Sequence, residues 1–496
     1  MGVLLGQLFD GIPCWGLTSA HRSLMVSDIA NDSRRVKPGT LFVAVPGQHG
    51  HGLDYVRDAV KQGAVAVLAP WGSARARFIE TRGLVWLEVE DPQAVLAELS
   101  ARVYGHPARE LSLIGITGTN GKTTTVYMLA HILAQTGHAV AFWSTNSVEG
   151  IPAPYRPSMT TPDPPRLHQF LREARNHGAH HAILEVSSHA LALGRIAGLS
   201  LDTAAITNIS PDHLDFHGSF DAYRQAKARI LSYVKPGGTA FLNGDDPAVR
   251  ELADGAPCSI RFFGVTSPAD SRARRVILRE QGSRWEWIAG DVPRGTVELP
   301  VPGQHNVMNA LAALGMALTL GVHPEGAVDA LRTFRPAARR LEIREVGSYT
   351  LVSDVAMNPA SYDAVLATVG SWGRPLVIVH AVRGNRGTAV NAAIADVLAR
   401  WDAQLHFAPV IATLSASYLR QLAEDYAVRP EESAAFMGRA RELRLSVDLY
   451  EELPEALEAA VGRLETHGVL LLLGTFGLDE ALAAAERTLR DRQGLG

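Results

Sequence analysis

Apolar residues along this chain gather into short continuous runs instead of alternating with polar ones. Residues 40–47 (TLFVAVPG), 64–70 (AVAVLAP), 181–186 (HAILEV), 202–209 (DTAAITNI), 375–382 (PLVIVHAV) and 469–477 (VLLLLGTFG) are such runs, separated by helical or loop segments. Strands with this pattern are buried on both faces, as parallel strands joined by helical crossovers are. The alternation occupies the first hundred residues, restarts near Leu111, and supplies fresh strands after a hinge at Pro336. A chain of 496 residues exceeds what one core normally supports. The expectation is therefore an α/β protein of three domains, residues 1–107, 108–336 and 337–496. The first is an α/β domain, the second carries a parallel sheet, and the third is Rossmann-like.

Composition narrows the class. Apolar residues make up 47% of the chain and the formal net charge is −4, which gives no support for a nucleic-acid-coating protein. Two cysteines, Cys14 and Cys258, are too few for a disulfide framework and fit a reducing compartment. The N-terminus lacks a basic start and carries Asp10, which argues against a secretory signal. No apolar run approaches the roughly 20 residues of a membrane span. A cytoplasmic protein with no nucleic-acid or membrane partner is expected.

Residues 113–129 (LIGITGTNGKTTTVYML) hold the first chemical signal. A buried strand passes into a helix, expected from Val126, through a glycine loop whose free N–H groups can wrap an anion at the positive helix end. Lys122 would reach terminal phosphates as a mobile point charge, and the Thr123 hydroxyl suits a magnesium ion. The usual spacing asks for one further glycine, where Ile116 stands. The strand–loop–helix context nevertheless favours nucleotide binding by Gly118, Thr119, Asn120, Gly121, Lys122, Thr123 and Thr124 over a bare tight turn.

Two further strand ends carry polar clusters. LEVSSHALALGR (184–195) puts Glu185 in a strand and Ser187, Ser188 and His189 beyond it; TNISPDHLDFHG (207–218) supplies Asn208, Asp212, His213, Asp215 and His217. Ligands of open parallel sheets bind at that carboxyl edge. Glu185 and His213 can there converge with Thr123 on magnesium shared with phosphates. Residues 220–231 form a helix with Tyr223, Ala226 and Ile230 on an apolar face, and Lys227 lies beside that face. An isolated helical lysine in that position is most often a snorkelling surface residue.

GTNGKTTT, MTTPD, EVSSHALALGR, TNISPDHLDFHG, YRQAKARIL, LNGDDP and GQHNVMNALAA follow one another as they do in the Mur ligases. The chain most resembles the MurE type, the UDP-N-acetylmuramoyl-tripeptide synthetases of cell-wall synthesis, over residues 25–345. DSRRVKPGTLFVAVPG (32–47) is similar to that type's N-terminal domain. The resemblance implies a UDP-binding-like first domain and a P-loop ATPase-like second domain. It also implies an ADP-forming ligase in which ATP phosphorylates a carboxylate and an amine attacks the acyl phosphate. ATP and Mg2+ are the implied cofactors. Lys122 and its loop would hold phosphates, Thr123 and Glu185 one magnesium, and His213 and Lys227 a second, with Lys227 carbamoylated. Asn309 resembles the adenine-reading residue, and Arg340 and Asp354 resemble contacts to ATP from the C-terminal domain. Ser33, Gln48, His49 and Gly50 match uridine contacts, Thr160 and Thr161 diphosphate contacts, and Ser187 and Arg195 contacts to the sugar-peptide. Met159 and Leu193 depart from that pattern, standing where the family often has asparagine and glutamine.

Beyond residue 345 the resemblance thins. The family's D-Y-A-H-x-P is DVAMNP (354–359), its GDRD stretch is RGNRGTAVN (383–391), its D-N-P-R is ATLSASYLR (412–420), and its GKGHE is GTFGL (474–478). The acyl-activating residues are present, whereas those that grip the usual amino acid are not. Val355, Met357 and Leu478 point to a less polar pocket for a smaller or apolar amine, or one completed by a partner protein. Two functions follow: a ligase acting on a UDP-N-acetylmuramoyl-peptide-like carboxylate with a non-standard amino acid or amine, or a catalytically altered relative acting through a partner. A third, a folylpolyglutamate-type ligase, fits the N-terminal domain less well.

Overall fold

The computed structural model describes residues 2–47, 50–73, 84–385, 387–422 and 426–493. Three main sheets organise it, each with helices packed on it. A four-stranded parallel sheet runs in the order Asp28–Ala30, Thr40–Val43, Ala64–Pro70, Val85–Val89. Its strands are apolar on both faces because residues such as Leu41, Phe42, Val67 and Leu68 are all buried.

The second sheet has ten strands. Its parallel part runs Val140–Trp143, His181–Glu185, Ser112–Thr117, Leu201–Ile206, Val234–Asn243, Ser259–Gly264. Ser112–Thr117 lies between His181–Glu185 and Leu201–Ile206, in register from Ser112 opposite His181 and from Ile114 opposite Thr203. The phosphate loop therefore leaves the middle of the sheet, with the two polar strand ends as its immediate neighbours. At the far edge Ser271–Arg279, Gly282–Ala289 and Val292–Leu299 add antiparallel hairpins. Trp285 and Trp287 there are buried in the core that also holds the long helix Gln304–Thr319. The pattern of apolar runs does not announce this extension.

The third sheet runs Glu342–Val346, Tyr349–Asp354, Val469–Leu473, Leu376–Ala381, Val410–Thr413, Val447–Tyr450. The last strand in sequence inserts between Tyr349–Asp354 and Leu376–Ala381, parallel to both. That reversal of strand order opens a crevice at the carboxyl ends, beside Asp354, Gly474 and Val382. Asn120 of the second sheet's loop bonds Asn358, and Asn146 donates to the Ala338 carbonyl, so the third unit is closed onto the second. Among the described residues no helix is long and apolar enough to cross a membrane.

Candidate active site

The strand Ser112–Thr117 extends further than its apolar residues alone suggest, and the helix starts at Lys122, four residues before the expected Val126. Gly118 and Gly121 make the turn possible. Gly118 has φ 146°, and a Cβ there would lie 1.8 Å from Thr207 Oγ1; Gly121 has φ 83°, and its Cβ would meet Asn309 Oδ1 at 2.3 Å. The loop is pinned from the neighbouring strand end. Thr119 N donates to the Asn208 carbonyl at 2.8 Å, Asn120 N to Asn208 Oδ1 at 2.9 Å, and Thr207 Oγ1 to the Asn120 carbonyl at 2.6 Å. Lys122 folds back over the loop, its Nζ donating to the Gly118 and Thr119 carbonyls at 3.1 and 3.0 Å. Thr124, one residue past Thr123, is buried in the first helical turn.

Glu185 ends its strand with 2% exposure. Its carboxylate accepts from Thr123 Oγ1 at 3.0 Å, Thr145 N at 2.8 Å and Thr145 Oγ1 at 3.0 Å. Thr145 also meets Thr160 Oγ1 at 2.9 Å, and Thr161 Oγ1 donates to the Glu185 carbonyl at 2.8 Å while accepting from Ser187 N at 2.9 Å. Arg195 closes this side, bonding the Thr161 carbonyl at 3.0 Å and lying 3.1 Å from Asp163. Thr160, Thr161, Ser187 and Arg195 thus form one wall continuous with the magnesium candidates. Of the two departures on that wall, the Met159 carbonyl accepts from Trp143 Nε1 at 3.2 Å, and Leu193 is exposed.

Lys227 is not a snorkelling surface residue. It is 2% exposed, its Nζ donates to the Gly118 carbonyl at 2.6 Å, and it lies 4.6 Å from the Tyr223 ring centre. The helix Phe220–Ala228 turns its apolar face to the sheet core and carries Lys227 inward with it, beneath the phosphate loop. Burial first, then the charge of Lys122, hold its amine well below the ordinary lysine value. His213 adopts left-handed backbone geometry with φ 53° and packs edge-on to His189 at 4.7 Å, with Tyr223 6.4 Å away. Tyr223 Oη in turn meets Thr119 Oγ1 at 2.9 Å.

Residues from the third unit reach the loop. Arg340 Nη2 donates to Thr123 Oγ1 at 3.3 Å. Asp354, at the end of its strand, accepts from Leu341 N at 2.8 Å, and burial pushes its carboxyl up to about 6 against the pull of Arg340. Asn309 sits on the other side, with Thr125 Oγ1 3.4 Å from its Oδ1. Arg340 Nε and Ser210 Oγ, both against the loop, are buried without a protein partner among the described residues. Buried polar groups normally find partners, and those unpaired here face a glycine loop suited to anions.

Ser33 is buried in a short turn capped by Asp32. In the same turn, burial and then the charge of Arg166 hold the Arg35 guanidinium below its ordinary value. Gly50 is exposed and accepts from Gly47 N at 2.8 Å. Gln48 and His49 lie outside the described residues.

Models of the Mur ligase middle domain and of the "Mur ligase family, catalytic domain" match residues 116–317 and 26–104. A UDP-N-acetylmuramoyl-L-alanyl-D-glutamate–2,6-diaminopimelate ligase of Streptomyces coelicolor is 32% identical over 496 residues, 99% of this chain and 95% of that protein. The chain belongs to the Mur ligase family. A ligase of the same description from Streptomyces avermitilis is 36% identical over 355 residues, 71% of this chain and 69% of its own length. Among solved structures, MurF from Acinetobacter baumannii superposes with a TM-score of 0.72 at 23% identity, covering 98% of this chain and 99% of that one, which is a likeness of fold. The MurE-type resemblance and the three-part α/β architecture expected from the sequence are borne out.

In the C-terminal unit of this Mur ligase, Leu478 is fully buried in the core. Met357 is half-buried, its carbonyl accepting from Arg383 Nη1 at 2.6 Å. The polar side chains of residues 412–420 are engaged within the unit. Ser415 Oγ donates to the Gly477 carbonyl at 3.0 Å, Ser417 Oγ to Glu452 at 2.6 Å, and Arg420 Nε to the Ala416 carbonyl at 3.2 Å. Asp479 is held by Arg339 at 3.0 Å and Tyr418 at 3.3 Å. Phe476 is exposed and lies tilted against Tyr426, ring centres 4.4 Å apart. Motif matching singled out neither Thr145 nor this aromatic pair. Thr145 had one signal, its place in the polar pair Ser144–Thr145 that follows the apolar strand Val140–Trp143.

Proposed function

We propose that this chain is an ATP-dependent amide ligase that activates the carboxylate of a UDP-N-acetylmuramoyl-peptide-like substrate and joins it to an amine other than 2,6-diaminopimelate or lysine. The observation that carries the first half is the convergence of Lys122, Thr123, Glu185 and buried Lys227 around one glycine loop, with Arg340 reaching in from the C-terminal unit. Phosphoryl transfer between two anions needs charge neutralisation and alignment. Loop N–H groups and Lys122 cradle the nucleotide phosphates, and the wall of Thr160, Thr161, Ser187 and Arg195 holds the acceptor's anionic part. Arg340 and Asp354 bring the C-terminal unit to the nucleotide, and Asn309 stands at the base side. The terminal phosphoryl passes to the acceptor carboxylate, ADP leaves, and the amine displaces phosphate to form the amide.

The residues present fit magnesium. Thr123 and Glu185 supply hard oxygen donors, with His213 nearby. Among the described residues no three His, Cys, Asp or Glu side chains are grouped as metal ligands. Lys227 would add an anionic oxygen donor once carbamoylated: its burial favours the neutral amine, which adds CO2 and releases a proton. Magnesium held there would supply charge neutralisation on the transferring phosphoryl group.

The C-terminal crevice supports the second half. Capture of a distal carboxylate calls for a bidentate arginine or an equivalent set of donors. Ser415, Ser417 and Arg420 spend hydrogen bonds within their own unit, and the exposed Phe476 with Tyr426 offers an apolar surface instead. An amino acid with an apolar side chain suits that surface. The test is ADP release with UDP-N-acetylmuramoyl-L-alanyl-D-glutamate, ATP and a panel of amines. Apolar amino acids are expected to exceed diaminopimelate and lysine by about tenfold or more. Equal or faster turnover with either of those two refutes the specificity.

A further inference from the structure

The altered segment DVAMNP lacks the family's aromatic and histidine, yet one of its side chains bonds the phosphate loop at Asn120 and the neighbouring strand end at Asp212. Asn358 is 1% exposed and caps the helix Pro359–Gly370. Its Nδ2 donates to Asp212 Oδ2 at 3.0 Å and to Asn120 Oδ1 at 3.2 Å. Its Oδ1 accepts from Asn120 Nδ2 at 3.1 Å and from Ser361 N at 3.0 Å. Both donors and both lone pairs of the amide are used. The reciprocal pair with Asn120 fixes the amide's orientation, and Asp212 then receives the remaining proton.

We propose that Asn358 is a positioning residue that latches the closed arrangement, coupling the C-terminal unit to the phosphate loop through Asn120 and to the His213 turn through Asp212. Asn120 lies between Thr119 and Gly121, and its N–H and carbonyl are already held by Asn208 and Thr207. Its side chain is thus the part of the loop left to report on the C-terminal unit. Asp212 precedes His213 and accepts from His213 N at 2.9 Å. When the units part, Asp212 and Asn120 lose this partner together. Closure and loop geometry are therefore one equilibrium, and the inference rests on the ligase reading only for its catalytic consequence.

The experiment compares Asn358→Asp, Asn358→Ser and a double variant that combines Asn358→Asp with Asp212→Asn. Aspartate keeps the helix cap but sets a second carboxylate against Asp212. Serine also keeps the cap but is too short to reach the loop. In the double variant the amide introduced at position 212 donates to the carboxylate introduced at position 358, restoring the pair with its direction reversed. Small-angle scattering of the unliganded proteins is expected to give larger radii of gyration for both single variants. Amide exchange across residues 118–123 is expected to accelerate by about tenfold or more in both. The double variant is expected to return towards the wild type on both measures. In an ADP-release assay Asn358→Asp raises KM for ATP more than it lowers kcat. Wild-type scattering and exchange in both single variants would overturn the latch, as would a double variant no better than Asn358→Asp. The scattering and exchange arms need no substrate, so a failure of the ligase reading would leave them decisive.

Discussion

The substitution Glu185→Gln separates the structural role of this side chain from its chemical one. The carboxylate accepts three hydrogen bonds, from Thr123 Oγ1, Thr145 N and Thr145 Oγ1, at 2.8 to 3.0 Å. A glutamine carbonyl placed at the Oε2 position keeps the first two. Its amide then donates to Thr145 Oγ1, whose own proton turns to Thr160 Oγ1, 2.9 Å away. No buried polar atom is orphaned. What is lost is the difference between charge-assisted and neutral bonds, about 1 kcal/mol each, partly offset because a charge no longer has to be buried. Net destabilisation should stay below about 3 kcal/mol, or a melting shift of roughly 10 °C at most. Phosphoryl transfer, by contrast, loses a full negative charge beside Thr123, and a term of this kind is worth about a hundredfold to a thousandfold in rate. The assay pairs calorimetric melting with ADP release at saturating ATP, magnesium and acceptor. Turnover within a few-fold of wild type would refute the placement of Glu185 in the chemistry, and a melting collapse matching the activity loss would make its role structural.

Asp354 makes stability depend on pH in a predictable direction. Its folded value of about 6 exceeds the ordinary carboxyl value of 3.8, so the folded state holds the proton more tightly. Its contribution is complete below the unfolded value and is lost as pH rises through the folded one; relative to Asp354→Asn, the wild type should lose about 2 kcal/mol between pH 4 and pH 7. Parallel denaturation curves of the two proteins at both pH values check this, and a constant difference contradicts it. Lys227 should carry one CO2 in bicarbonate buffer, found by alkylative trapping and peptide mass spectrometry. In Lys227→Ala, added short-chain carboxylates should restore part of the activity. An unmodified Lys227 peptide from fully active enzyme would exclude the carbamate.

The second unit is the most legible from sequence, for a physical reason. Strands buried on both faces, such as His181–Glu185, have apolar interiors, so the polar residues at and beyond their carboxyl ends stand out. Glu185, Ser187 and Asn208 are visible that way. The edge hairpins are not, because Ser271–Arg279 and Val292–Leu299 each turn one face outward and carry mixed residues. Lys227 shows the opposite limit. Helical spacing places it beside an apolar face, and only the fold shows that this face points beneath the phosphate loop. The motif position of Leu478 suggests a pocket residue, yet it packs into the core, and Phe476 two residues earlier is the exposed apolar group. Asn358 and Thr145 act through contacts with residues distant in sequence, Asn120 and Glu185, which no local spacing announces.

Hydroxylamine trapping tests the central claim without requiring the natural amine to be known. The enzyme is incubated with ATP, magnesium and UDP-N-acetylmuramoyl-L-alanyl-D-glutamate, and hydroxylamine is supplied as the nucleophile. An activated carboxylate is captured as a hydroxamate, detectable by mass spectrometry, with one ADP formed per hydroxamate. The account predicts hydroxamate that depends on both ATP and the acceptor and disappears in Lys122→Ala. ADP formation that proceeds without the acceptor, or no hydroxamate at any hydroxylamine concentration with intact wild-type enzyme, would contradict it.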